Sequence, residues 1–133
     1  RRPGASTFGG NPVAAAAGLA TLSVLTGENL PQKAAARGKQ LYSGLLRLKE
    51  KFHIIGDVRG LGLMVGAEVV MPDNQPDPAT ADIILEKMKD RGFLLGKNGP
   101  HRNVLVFQPP LVITENDIDS LLDNLAEVLA EIA

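Results

Sequence analysis

Apolar positions along the chain change their spacing several times, and each change marks an element. Asn11-Pro12 supplies an N-cap residue followed by a proline suited to a first helical turn. The small residues Ala14, Ala15, Ala16, Ala17, Gly18 and Ala20 follow, until Thr26-Gly27-Glu28-Asn29 breaks the pattern. So little side-chain bulk predicts a helix that packs closely against a neighbour or lies at an interface. After Pro31, the residues Leu41, Leu45, Leu48 and Phe52 form one apolar stripe of a second helix that ends near Lys51. From His53 onward β-branched residues and glycines replace helix formers, which predicts a short strand, a glycine turn and a longer strand reaching Val70.

The stretch from Met71 to Pro78 combines prolines with Asp73, Asn74 and Asp77 and reads as an exposed loop. A third helix is predicted over about 79–91, closed by Gly92 in a left-handed cap. Phe93-Leu94-Leu95 and Val104-Leu105-Val106-Phe107 then read as two short strands around a hairpin loop from Gly96 to Asn103. Thr114 and Asp117 have the spacing of a capping box, with Asp reaching less well than Glu or Gln would. Behind them Ile118, Leu121, Leu122, Leu125, Leu129 and Ile132 make the clearest helical stripe in the chain. The order helix, helix, strand, strand, helix, strand, strand, helix predicts an α+β fold, its helices on one face of a small, mainly antiparallel sheet.

Composition narrows the functional classes. With 133 residues, 44% of them hydrophobic, the chain is long enough for one globular core. The apolar run from Val13 to Leu25 is too short and too alanine-rich for a bilayer span, so no membrane partner is expected. Without cysteine, disulfides, thiolate metal sites and a cysteine nucleophile are excluded; a reducing compartment is compatible with this, and cytoplasm or organelle matrix is the expected location. Fourteen Lys and Arg against fifteen Asp and Glu argue against a nucleic-acid surface. The sequence starts at Arg1 with no apolar leader behind it, so it reads as a piece of a longer, non-secreted protein.

Few residues suggest chemistry on their own. His53 and His101 lack metal-ligand spacing and an adjacent serine, and read as loop or surface residues; no metal site is expected. Asp77, Asp82, Glu86 and Asp90 have solvent-friendly spacing. Gly60, Gly62 and Gly66 do not match the dinucleotide fingerprint, since a strand follows them. Ser6-Thr7-Phe8-Gly9-Gly10-Asn11-Pro12 differs: hydroxyls and glycines before a helix N-terminus can present O–H and bare backbone N–H groups to a phosphate. The same composition suits a plain N-capped loop.

That seven-residue run, followed by an alanine-rich helix, resembles the motif that class III aminotransferases carry after their cofactor lysine. Three further stretches match in order: Gly56 to Gly66 (G-D-V-R-G-L-G-L-M-V-G), Gly92-Phe93-Leu94-Leu95, and Pro109-Pro110-Leu111-Val112-Ile113-Thr114. The resemblance covers essentially the whole chain, and its nearest flavour is the alanine–glyoxylate and phospholyase-like branch. It implies a fold-type-I, pyridoxal 5′-phosphate-dependent homodimer with active sites at the subunit interface, acting on a small amino donor and a keto acid acceptor. Residues 1–28 would be the cofactor-phosphate loop and connecting helix, and 29–133 the small C-terminal domain.

In that family the motif's threonine hydrogen-bonds the cofactor phosphate of the partner subunit, which carries over to Thr7 with Ser6 adjacent. The family's cofactor lysine lies upstream of the motif, so no catalytic residue is expected among these 133 and the chain alone is expected to be inactive. Lys33, Lys39, Lys49, Lys51, Lys87 and Lys89 read as solvated helix positions and Lys97 as a loop residue. Arg59 is expected to be structural, bonding backbone at a strand turn. Many relatives place an arginine before P-P-L to grip the substrate carboxylate where this chain has Val106. The resemblance therefore implies that the substrate is held differently, by Arg102, by an arginine elsewhere, or with no carboxylate at that point. Two alternatives remain beside transamination: a phospho-lyase acting on an amino-alcohol phosphate, whose relatives share the run Gly99 to Leu105, and a non-catalytic interaction module built on the exposed alanine-rich helix.

Overall fold

The computed structural model describes residues 6–7 and 9–132. Its elements are α1 (Pro12–Gly27), α2 (Leu30–Lys51), β1 (Ile55–Leu61), β2 (Met64–Val69), α3 (Pro78–Asp90), β3 (Gly96–Asn98), β4 (Val104–Phe107) and α4 (Glu115–Ile132). The four strands form one sheet in the order β1-β2-β4-β3 with every pairing antiparallel, so the predicted α+β class and element order hold.

Local chemistry accounts for most of the boundaries. The Asn11 side chain accepts from the N–H groups of Val13 and Ala14 and starts α1. Asn29, in left-handed backbone, turns the chain into α2. Gly62 has positive φ and Leu63 does not, the pattern of a two-residue type II′ hairpin turn between β1 and β2. Asp77 caps α3 by accepting from the Thr80 N–H at 2.9 Å, and Gly92 at φ 88° closes it. At α4 the Thr114 hydroxyl accepts from Asp117 N–H at 3.2 Å while Asp117 accepts from the Thr114 N–H at 3.0 Å. The shorter aspartate therefore completes the reciprocal box.

α2 and α3 lie against one face of the sheet, and α4 packs on both helices. The core between the layers takes Leu41, Leu45 and Leu48 from α2, Val65, Ala67 and Val69 from β2, Leu105 and Phe107 from β4, and the α4 stripe from Ile118 to Leu129. The α2–α4 contact is close because Gly44 faces Leu122, and α2 meets the β1–β2 turn where Gly38 faces the backbone of Gly62.

Three local expectations change. Phe93-Leu94-Leu95 is not a strand: the paired residues are Gly96, Lys97 and Asn98, and Leu94 is 87% exposed. The run does alternate, with Leu94 outward between the core-packed Phe93 and Leu95, but no described strand pairs with it, and the positive-φ residues Gly99 and Arg102 close a tighter loop than Gly96 to Asn103. Lys97 is consequently a strand residue. Its side chain is only 9% exposed, and its ammonium pairs with Asp82 of α3. Arg59 bonds carboxylates rather than backbone.

Candidate functional site

Two regions present exposed polar groups: the loop before α1 and the sheet face that no helix covers. In the loop, Ser6 Oγ accepts from the Gly9 N–H at 3.0 Å, and Gly10 at φ 80° turns the chain into Asn11. Asn11 already occupies two of the first amides of α1. The sequence-based picture of several bare N–H groups is thereby reduced, and the loop is organised by its own side chains. Thr7 differs from Ser6: it is exposed, and its hydroxyl bonds to no other described residue. A phosphate approaching this loop would find in Thr7 a donor that no described residue engages. That fits the chemistry of a cofactor phosphate.

On the open sheet face, Arg59 Nη1 donates to Asp57 at 2.8 Å along its own strand and to Glu68 at 2.8 Å on β2. The buried Asn103 donates from Nδ2 to Glu68 at 3.3 Å and to the Val69 carbonyl at 2.8 Å. The Arg59 hydrogen bond holds the Asp57 carboxyl below its ordinary range, and Arg59 followed by Asn103 does the same for Glu68 against the opposing cost of burial. The pairing of Asp57 with Glu68 across β1 and β2 brings these groups together. A single strand read in isolation carries no sign of it.

Val106 is half-buried on the same face. With Gln108 it separates two hollows. One, of about 460 Å³, runs along Phe93, Leu94 and Leu95 to Ile113; the other, of about 290 Å³, is lined by Arg59, Met64, Gly66, Asn98 and Val104. Arg102 sits in the exposed loop before β4 in left-handed backbone, outside the lining of both hollows. His53 and His101 are exposed in separate turns. No single described helix is long and apolar enough to cross a membrane, and α1 and α2, which reach that length together, are bent by 62°.

The chain as a whole is similar to known proteins. The family profile described as aminotransferase class-III matches residues 3–129. A mitochondrial alanine–glyoxylate aminotransferase 2 homolog from Arabidopsis thaliana is 47% identical over 125 residues, covering 92% of this chain and 26% of that protein. Among solved structures, a phospholyase from Arthrobacter in complex with phosphoethanolamine superposes with a TM-score of 0.91 at 39% identity, over 96% of this chain and 31% of that one. An amine transaminase from an uncultivated Pseudomonas species, in its PLP-bound form, gives 0.84 at 32% identity, over 98% of this chain and 30% of that one. The chain thus spans about a quarter to a third of the length of its relatives. A match over nearly all of its own residues, in sequence and in fold, makes this chain a member of the class III aminotransferases, a pyridoxal-phosphate-dependent family.

Proposed function

We propose that the polypeptide carrying this chain transfers an amino group between an amine or amino-acid donor and a keto acid. In this reading the chain supplies a phosphate contact through Thr7 and one wall of the substrate site through its open sheet face. Pyridoxal phosphate, when bound, supplies the electron sink that acidifies the substrate carbon. Thr7 donates to the phosphate, Ser6 shapes the loop through its bond to Gly9, and the partner subunit of a homodimer holds the cofactor that Thr7 meets. The observation that carries the reading is the exposed Thr7 hydroxyl within a motif and fold that match the family across the chain. No lysine here is proposed as the cofactor's attachment point, and residues 1–133 alone are proposed to be inactive.

The test is Thr7→Ala in the full-length protein. Losing one hydrogen bond to a charged phosphate costs roughly 1.5–3 kcal/mol, so cofactor affinity measured by absorbance titration is expected to fall about ten- to a hundredfold with the fold intact. Unchanged affinity would mean that the loop only caps α1. A second reading, elimination of phosphate from an amino-alcohol phosphate, is favoured by the likeness to the Arthrobacter phospholyase. A donor panel of α-amino acids, ω-amines and amino-alcohol phosphates, run on wild type and Val106→Arg, separates the two. If wild type prefers an α-amino acid and the arginine brings no gain for it, position 106 does not set donor class.

A further inference from the structure

Asn98 is the one asparagine in the chain that a glycine follows. It ends β3 at the mouth of the β3–β4 loop, and both it and Gly99 are exposed. Among the described residues none accepts from the Gly99 N–H and none bonds the Asn98 carboxamide. Gly99 has φ 90° and no side chain, so its nitrogen is open to close approach. Every other asparagine lacks one of these conditions. Asn11 precedes Pro12, whose ring nitrogen carries no hydrogen. Asn29 precedes the buried, branched Leu30. Asn74 and Asn116 precede N–H groups already given away, Gln75 to the Asp73 carboxylate and Asp117 to the Thr114 hydroxyl. Asn103 is buried with its amide donating to Glu68 and the Val69 carbonyl, and Asn124 lies inside α4 with its amide on the Ser120 carbonyl.

We propose that Asn98 is a modification site at which the folded protein deamidates. The Gly99 amide nitrogen, once deprotonated, attacks Cγ of Asn98 and forms a new C–N bond. The tetrahedral adduct expels the side-chain nitrogen as ammonia and leaves a cyclic succinimide. Water then opens the ring at either carbonyl. One opening gives aspartate; the other gives isoaspartate, in which the main chain runs through the side-chain carbons and gains one atom. The net change is amide plus water to carboxylate plus ammonium, so water is the only co-reactant. Asn98 and Gly99 line the hollow that also holds Arg59. There Arg59 is paired with Asp57 and Glu68, three groups that sum to one negative charge, and the product carboxylate adds another. Isoaspartate in addition lengthens β3 at its last rung, where Asn98 stands opposite Val104.

The experiment ages the full-length protein in mildly alkaline buffer, folded and in urea, and digests it with pepsin in acid so that no succinimide forms during handling. Mass spectrometry then follows the exchange of amide for acid at each asparagine. In the folded protein position 98 is expected to convert ahead of Asn29 and Asn74 and to give both aspartate and isoaspartate, which separate chromatographically. The conversion is expected to be lost in Asn98→Gln, whose longer side chain must close a larger ring. Conversion that appears only in urea, or that comes no earlier than at Asn74 in the folded protein, overturns the proposal: the end of β3 would then hold Cγ of Asn98 away from the Gly99 nitrogen. The step needs neither cofactor nor substrate, so its outcome is independent of the aminotransferase reading.

Discussion

Gly38 and Gly44 both sit on the buried side of α2, but an added methyl meets different obstacles at the two positions. At Gly38 it would overlap the backbone of Gly62, which belongs to a two-residue turn and cannot move without shifting both strands; at Gly44 it would meet the end of the Leu122 side chain, which can change rotamer. Gly38→Ala is accordingly expected to cost at least the ~1–3 kcal/mol typical of overpacking, and Gly44→Ala less. Urea unfolding of the two variants gives the comparison, and equal losses would mean that the turn gives way as easily as a leucine. Both glycines interrupt a helix in the sequence, where they read only as poor helix formers. Thr7 and Ser6 stand out in the sequence as candidates because their motif is local. The role of Arg59 does not, because one of its two carboxylates comes from another strand.

At the scale of elements, the Arg59 network ties β1 to β2 and, through Asn103, to the start of β4. Asp57 and Glu68 both have folded-state pKa values below the ordinary ones, chiefly through their bonds to Arg59. A depressed carboxylate contributes stability that is complete above its unfolded value, roughly 4 for these side chains, and is lost as pH falls through the lowered folded value. Stability should therefore drop below about pH 4 in wild type and less steeply in Arg59→Ala, as read from urea midpoints across that range; parallel curves would mean that the pairs are too solvated to matter. The capping box at α4 is a second element-scale device. Thr114→Ala removes the acceptor of the Asp117 N–H and is expected to cost ~1 kcal/mol, measured by the same unfolding. The box was readable from two residues three apart. The β3 shift was not, since only pairing with β4 distinguishes Gly96-Lys97-Asn98 from the more apolar run before it.

Across the whole molecule, α1 stands apart: among its described residues none is buried, and Val13, Leu19, Leu22 and Val24 are exposed apolar side chains. A helix that is apolar on all sides is expected to be covered. The core draws instead on α2, the sheet, α3 and α4. Removing residues 1–28 is therefore expected to leave the urea midpoint of 29–133 nearly unchanged while abolishing any concentration-dependent self-association of the longer chain in sedimentation experiments. A large loss of stability would show that α1 belongs to the same folding unit as the rest.

The sequence by itself determined what depends on near neighbours. Helical spacing of leucines, caps at Asn11 and Thr114, and left-handed Gly92 place the four helices, and the short motifs from Ser6 to Pro12 and from Pro109 to Thr114 identify the family. These signals survive in a linear reading because their physics acts within one or two turns of chain. Tertiary structure decided what depends on register: which residues form β3, that Lys97 lies against α3, and that Arg59 holds two carboxylates. Register also put Arg59, Gly66, Val106 and Gly96 side by side. That row joins residues from all four strands, and strand pairing set by the buried face alone brings them into one line.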